Sequence, residues 1–167
     1  MGGDQYIVEG LRGRSQWPPA TPCYAYGAKN LRLDQRDAYQ AGLDHFAMVP
    51  ATLAHDDARA SALQALLRSG NAYIKLSAPY RLACAGMQGD DAARTWAAAF
   101  LRAAPRHVLW GSDWPHTARE PGKAAHDVSA YRTLPEGTLA RSLRDWLPTA
   151  RFRQQVLVEN PARLYAF

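Results

Sequence analysis

The sequence predicts an α/β fold in which parallel strands are joined by crossover helices. Short apolar runs recur at 41–48, 72–77 and 107–112. Between them lie segments whose apolar residues return every three or four positions and whose ends carry capping residues. Strand, helix, strand in regular alternation is the sequence trace of β–α units with right-handed crossovers.

Each element follows from local chemistry. Gly42-Leu43-Asp44-His45-Phe46-Ala47-Met48 reads as the first strand, closed by Pro50. Asp56 or Asp57 caps a helix over 57–68, with Leu63, Leu66 and Leu67 on one face and Gly70 as its stop. Ala72-Tyr73-Ile74-Lys75-Leu76-Ser77 is the second strand, ended by Pro79. Asp90 or Asp91 caps the next helix, over 91–104, where Trp96, Ala97, Phe100, Leu101 and Ala104 share a face and Pro105 ends the run. His107-Val108-Leu109-Trp110 is the third strand, running into Gly111-Ser112-Asp113. A polar loop extends to Gly137. Leu139, Leu143, Trp146 and Leu147 then stripe a helix that Pro148 stops, and Thr149 caps another. Asn160-Pro161 opens a last short turn with proline at its first helical position.

Upstream, Gly2, Gly3, Gly10, Gly13, Pro18, Pro19, Pro22 and Gly27 punctuate the chain too often for a long helix. Residues 1–40 therefore read as an irregular lead-in, with Tyr6-Ile7-Val8 as a short strand and 30–39 as a polar helix. Residues 41–167 form the α/β unit.

Composition removes several classes of function. With 47% hydrophobic and 21% charged residues, the 167-residue chain is neither disordered nor rich enough in apolar runs for a membrane helix. Basic residues exceed acidic ones by 20 − 15 = 5, but they are mostly single arginines among apolar residues, so no nucleic-acid partner is expected. Asp4 and Glu9 interrupt the amino terminus, which does not read as a signal peptide. Cys23 and Cys84 make no disulfide framework, so a reducing, cytoplasmic setting is expected.

In parallel α/β sheets the reacting groups sit where strands pass into loops. The three strand ends here carry Asp44 and His45; Ser77, Tyr80 and Arg81; and Ser112, Asp113 and His116. A carboxylate can take a proton from water, a guanidinium can hold a substrate carboxylate by two hydrogen bonds, and an imidazole can polarise a carbonyl or bind a metal. Purely structural readings remain open for each. Asp113 suits a turn cap in Gly-Ser-Asp-Trp-Pro, His45 a core histidine, Arg81 a solvated cation. Trp110 and Trp114 read as packing groups, and His55, His107 and His126 as surface residues.

Four stretches, in order, carry a family resemblance: Leu43-Asp44-His45-Phe46; Lys75-Leu76-Ser77-Ala78-Pro79-Tyr80-Arg81; Val108-Leu109-Trp110-Gly111-Ser112-Asp113-Trp114-Pro115-His116; and Asn160-Pro161-Ala162-Arg163-Leu164-Tyr165-Ala166-Phe167. Over 41–167 the chain resembles the amidohydrolase-related family, in its pyrone dicarboxylate lactonase-like branch. The resemblance implies the C-terminal part of a (β/α)₈ TIM barrel and a hydrolase acting on a lactone or amide bond of a small carboxylated substrate. It makes Asp113 the catalytic residue that activates water and His45 its catalytic partner at a strand end. Arg81 becomes the grip on a substrate carboxylate, with Ser77, Tyr80 and His116 as further substrate-binding residues. A divalent metal such as zinc belongs to part of that family, while the lactonase-like branch works without one; no metal ligand is assigned.

The chain departs from the family in one respect. The family's first strand bears a His-x-His pair, whereas the five histidines at 45, 55, 107, 116 and 126 include no two closer than nine residues. A complete barrel takes about 250 residues. These facts lead to the expectation of a truncated half-barrel with poor activity, or none. Leu43, Ile74, Leu76, Val108 and Trp110 would lose their opposite wall, and the chain would self-associate or bind a partner chain.

Overall fold

The structure, a computed structural model, describes residues 41–82, 89–117 and 127–166. The expectations for the lead-in, Cys23, Cys84 and His126 lie outside these residues. Three strands form the sheet: β1 (Ala41–Leu43), β2 (Ala72–Leu76) and β3 (Val108–Trp110). They lie side by side in chain order and are parallel throughout, with Leu43 opposite Ile74 and Leu76 opposite Trp110. Helices α1 (Ala58–Arg68) and α2 (Gly89–Ala103) occupy the two crossovers, as the alternation predicts.

Helix α1 starts where the Asp57 carboxylate accepts the backbone N–H of Arg59 at 2.8 Å, and it stops at Gly70, whose φ of +83° a side chain would strain. Helix α2 begins at Gly89, earlier than predicted, so Asp90 and Asp91 lie in its first turn, where carboxylates meet the positive end of the helix dipole. Helix α3 (Thr138–Trp146) ends just ahead of Pro148, and α4 (Ala150–Gln154) is capped by Thr149.

Alternation along β2 decides which side chains meet the helices. Ala72, Ile74 and Leu76, with Leu43 and Val108, join Leu63 and Leu67 of α1 and Trp96, Ala97 and Phe100 of α2 in one core. Trp96 and Phe100 stack at 5.4 Å, and Phe46 meets the edge of Trp146 at 5.1 Å. The expected exposure of Leu43, Ile74, Leu76, Val108 and Trp110 is therefore corrected. The first four are buried beneath the helices and Trp110 packs against the same core.

Four other details differ from expectation. The first strand stops at Leu43 and does not run on to 48. From His45 to Met48 every φ is positive, between +53° and +56°, a left-handed turn that cannot continue the ladder. Trp114 is 80% exposed, because Asp113, with φ of +63°, turns the chain outward after β3. His107 is half-buried, its ring 5.0 Å from that of Tyr73, while His55 stays exposed with its ring 4.2 Å from that of Trp96.

Asn160 does not open a separate turn. The helix begun at α4 widens through a π turn (Gln155–Glu159) and continues as α5 (Asn160–Tyr165). Pro161 has no N–H to return to the preceding turn, and the widened segment lies directly before it. The Asn160 amide is fully buried and donates to the carbonyls of Pro105 at 2.8 Å and Val108 at 2.7 Å. This side chain ties the last helix to the foot of β3. Among the described residues no helix is long and apolar enough to cross a membrane.

Candidate active site

The carboxyl ends of the strands deliver the polar groups to one place. Past β1, the left-handed turn at His45 lifts the imidazole toward β2 and β3. Past β2, Ala78 with φ of +49° starts the turn Pro79–Arg81, which carries Tyr80 and Arg81. Past β3, the positive φ of Asp113 aims its carboxylate into the same space. Non-glycine residues in the left-handed region are strained and persist only where their surroundings hold them.

Asp113 is the hub. Its Oδ1 lies 3.5 Å from Nε2 of His45. Its Oδ2 accepts the phenol O–H of Tyr80 and faces Nη2 of Arg81 at 3.5 Å. The same Arg81 nitrogen donates to the Thr117 carbonyl at 3.3 Å. Behind His45, Nδ1 is 2.8 Å from Oγ of Ser77, a residue only 1% exposed. All three side chains are mostly covered, with exposures of 23% for His45, 18% for Arg81 and 12% for Asp113.

These surroundings set protonation. Burial is the main cause that lowers the His45 pKa below 6.5; Asp113 opposes it and Arg81 reinforces it, so the imidazole is neutral at pH 7. Burial first, and then the hydrogen bond to Asp113, push the Tyr80 phenol far above its ordinary value, so it remains a donor.

The structure brings His45, Ser77, Tyr80, Arg81 and Asp113 together. His116 stands beside them: its backbone N–H donates to the Asp113 carbonyl at 2.6 Å, and its Nδ1 is buried without a partner among the described residues. Arg81 Nε is in the same condition. Two neighbours were not singled out from sequence. Lys75 bonds Asp44 at 2.6 Å, its stem lying where a side chain at Gly111 would come within 3.0 Å of it. Lys75 shares the alternation of Ser77, which is the signal that would have found it. Arg132 lies 4.5 Å over the Tyr80 ring, and its backbone N–H donates to the His116 carbonyl at 2.8 Å.

Among the described residues no three His, Cys, Asp or Glu side chains are placed to hold a metal ion. The donors around Asp113 are a guanidinium, a phenol and an imidazole already paired with Ser77, a set that satisfies the carboxylate with protons and suits a divalent cation poorly.

A short parallel sheet with its acid, imidazole and guanidinium gathered at the strands' carboxyl ends is the layout of the working face of a β/α barrel. Residues 42–167 match the Amidohydrolase family, and the chain belongs to it. It is 31% identical over 123 residues to 4-sulfomuconolactone hydrolase of Rhizobium radiobacter, a match covering 74% of this chain and 38% of that protein. It is 35% identical over 103 residues to 2-pyrone-4,6-dicarboxylate hydrolase of Comamonas testosteroni, covering 57% and 30%. A solved apo structure from Agrobacterium tumefaciens superposes with a TM-score of 0.60 at 25% identity, over 77% of this chain and 42% of that one. The three β–α units are thus part of a TIM barrel. The chain spans well under half the length of the curated relatives it matches.

Proposed function

We propose that this chain provides the water-activating and carboxylate-gripping side of a lactone hydrolase that opens a small carboxylated ring. One observation carries the reading: Asp113 is fixed through Oδ2 by Tyr80 and Arg81, while Oδ1 faces the imidazole of His45 at 3.5 Å. A water on Oδ1 gives up its proton to the carboxylate as its oxygen attacks the lactone carbonyl; the ring C–O bond then breaks, and the leaving ring oxygen takes that proton back from the Asp113 carboxyl. Neutral His45 stands beside the oxygen that gathers charge. Arg81 grips an acidic substituent on the ring with its guanidinium, and His116 lines the approach. The names of the relatives, a sulfonated muconolactone hydrolase and a pyrone dicarboxylate hydrolase, support a small acidic lactone. A cytoplasmic location belongs to the same proposal, which rests there on cysteine usage alone.

Acid release from a dicarboxylated pyrone and from an uncharged lactone tests it. Slow opening of the acidic ring is expected, well below the roughly 10 per second of an ordinary enzyme, since the chain has no His-x-His pair to work with His45. Arg81→Met should weaken binding of the acidic lactone about tenfold or more, the worth of a charge-assisted hydrogen bond, beyond whatever the loosened Asp113 costs both rings alike. Equal handling of both rings, with no effect of the substitution, overturns the reading.

Self-association is a second part of the proposal. The helices cover the core face of the sheet, so the drive resides in the outer edges of β1 and β3, which have no further strand beside them among the described residues. Sedimentation at micromolar concentration should show a species larger than a monomer; a compact monomer refutes it.

A further inference from the structure

We infer that Ser77 is a positioning residue that holds His45 as a hydrogen-bond donor toward Asp113, leaving Asp113 as the only base of the pair. The inference rests on the proposed site but concerns a proton whose position can be read without turnover.

A neutral imidazole carries one N–H, and its two nitrogens here face different partners. Nε2 faces Oδ1 of Asp113 at 3.5 Å, and Nδ1 faces Oγ of Ser77 at 2.8 Å. With the proton on Nε2, the N–H points at a carboxylate and the Ser77 hydroxyl donates to the Nδ1 lone pair. Both contacts are then attractive. With the proton on Nδ1, the Nε2 lone pair faces the carboxylate oxygen and the hydroxyl must find another acceptor. Ser77 is 1% exposed, so water is not at hand to supply one. An unsatisfied buried donor and two opposed lone pairs both penalise that arrangement.

The backbone reinforces the choice. Ser77 follows directly on β2, held by its ladder with β3, and His45 sits on the left-handed turn after β1. Both ends of the 2.8 Å contact are thus carried at the ends of neighbouring strands. The consequence for chemistry is a division of labour. Capped at Nδ1 by Ser77, the imidazole offers only an N–H to the site. At 3.5 Å from Oδ1 that N–H is not locked in a short bond, so it can turn to the carbonyl oxygen of a bound lactone. Proton abstraction from water falls to Asp113.

Nitrogen-15 NMR of the imidazole groups of the whole chain near pH 7.5, with His45 assigned by its loss in His45→Gln, tests this. Nε2 should resonate as a protonated nitrogen and Nδ1 as an unprotonated one shifted by an accepted hydrogen bond. In Ser77→Ala the Nδ1 signal should move toward that of an unprotonated nitrogen with no donor. Should that variant not fold, Ser77→Cys, with a weak donor in the same place, is expected to shift the signal in the same direction. A wild-type spectrum with the proton on Nδ1, or an Nδ1 signal that neither substitution moves, overturns the inference. A wild-type chain that shows the Nε2–H form yet opens no lactone upholds the inference while removing the lactonase reading.

Discussion

Asp113→Asn should abolish lactone opening by the chain, a loss of at least about a hundredfold, the lower end of what a positioned general base contributes. The substitution keeps the shape and removes the function. An amide oxygen cannot take the proton of an attacking water. Its NH₂ must also face either the Tyr80 and Arg81 donors on one side or His45 on the other, where the carboxylate now accepts. Arg81 would lose its counter-charge and keep the Thr117 carbonyl. Initial rates of acid release, with far-UV circular dichroism to confirm an unchanged fold, decide the matter. Activity within a few-fold of the parent chain would move the base elsewhere.

The largest effect on stability is expected at Asn160, far from the chemistry. Asn160→Ala removes two donors from the carbonyls of Pro105 and Val108 and leaves a gap where the side chain is fully buried. Each carbonyl left unsatisfied costs about 1–3 kcal/mol, so a loss of roughly 2–5 kcal/mol follows. Asn160→Asp should be at least as damaging, since an acceptor-only group would then face two carbonyl oxygens. Urea unfolding curves measure both. A change below about 0.5 kcal/mol in each would show that the last helix does not hold β3.

The layered alternation was legible because each element had its own period. Leu63 and Leu67, or Trp96 and Phe100, repeat as helix faces do, and Ile74 and Leu76 repeat as a strand does. The ends of the elements were less legible. Asp44-His45-Phe46-Ala47-Met48 has the composition of a strand, and nothing in it announces four left-handed residues, since none is glycine or asparagine. The gathering of His45, Arg81 and Asp113 followed from their shared place after strands. What lay beyond sequence was pairing between distant positions: Lys75 with Asp44, Arg132 over Tyr80, and the buried amide of Asn160 reaching back to Val108. The apolar strand residues were assigned to the wrong face for a related reason. Alternation shows which residues share a side, and only the packed helices show which side is covered.

The order of the strands in the sheet is also their order along the chain. Within the described sheet β2 and β3 each follow the strand they pair with, and the two pairings close loops of similar length, for which the entropy penalty rises slowly. The sheet can be laid down progressively, β1 receiving β2 and β2 receiving β3, with no strand waiting for one not yet synthesised. The clamp from Asn160 arrives after all of them. Until it leaves the exit tunnel, the carbonyls of Pro105 and Val108 remain open to water, and β3, which carries Asp113, is held from one side only. The tie that holds the foot of β3, the strand that leads into Asp113, is thus made later than the strand itself.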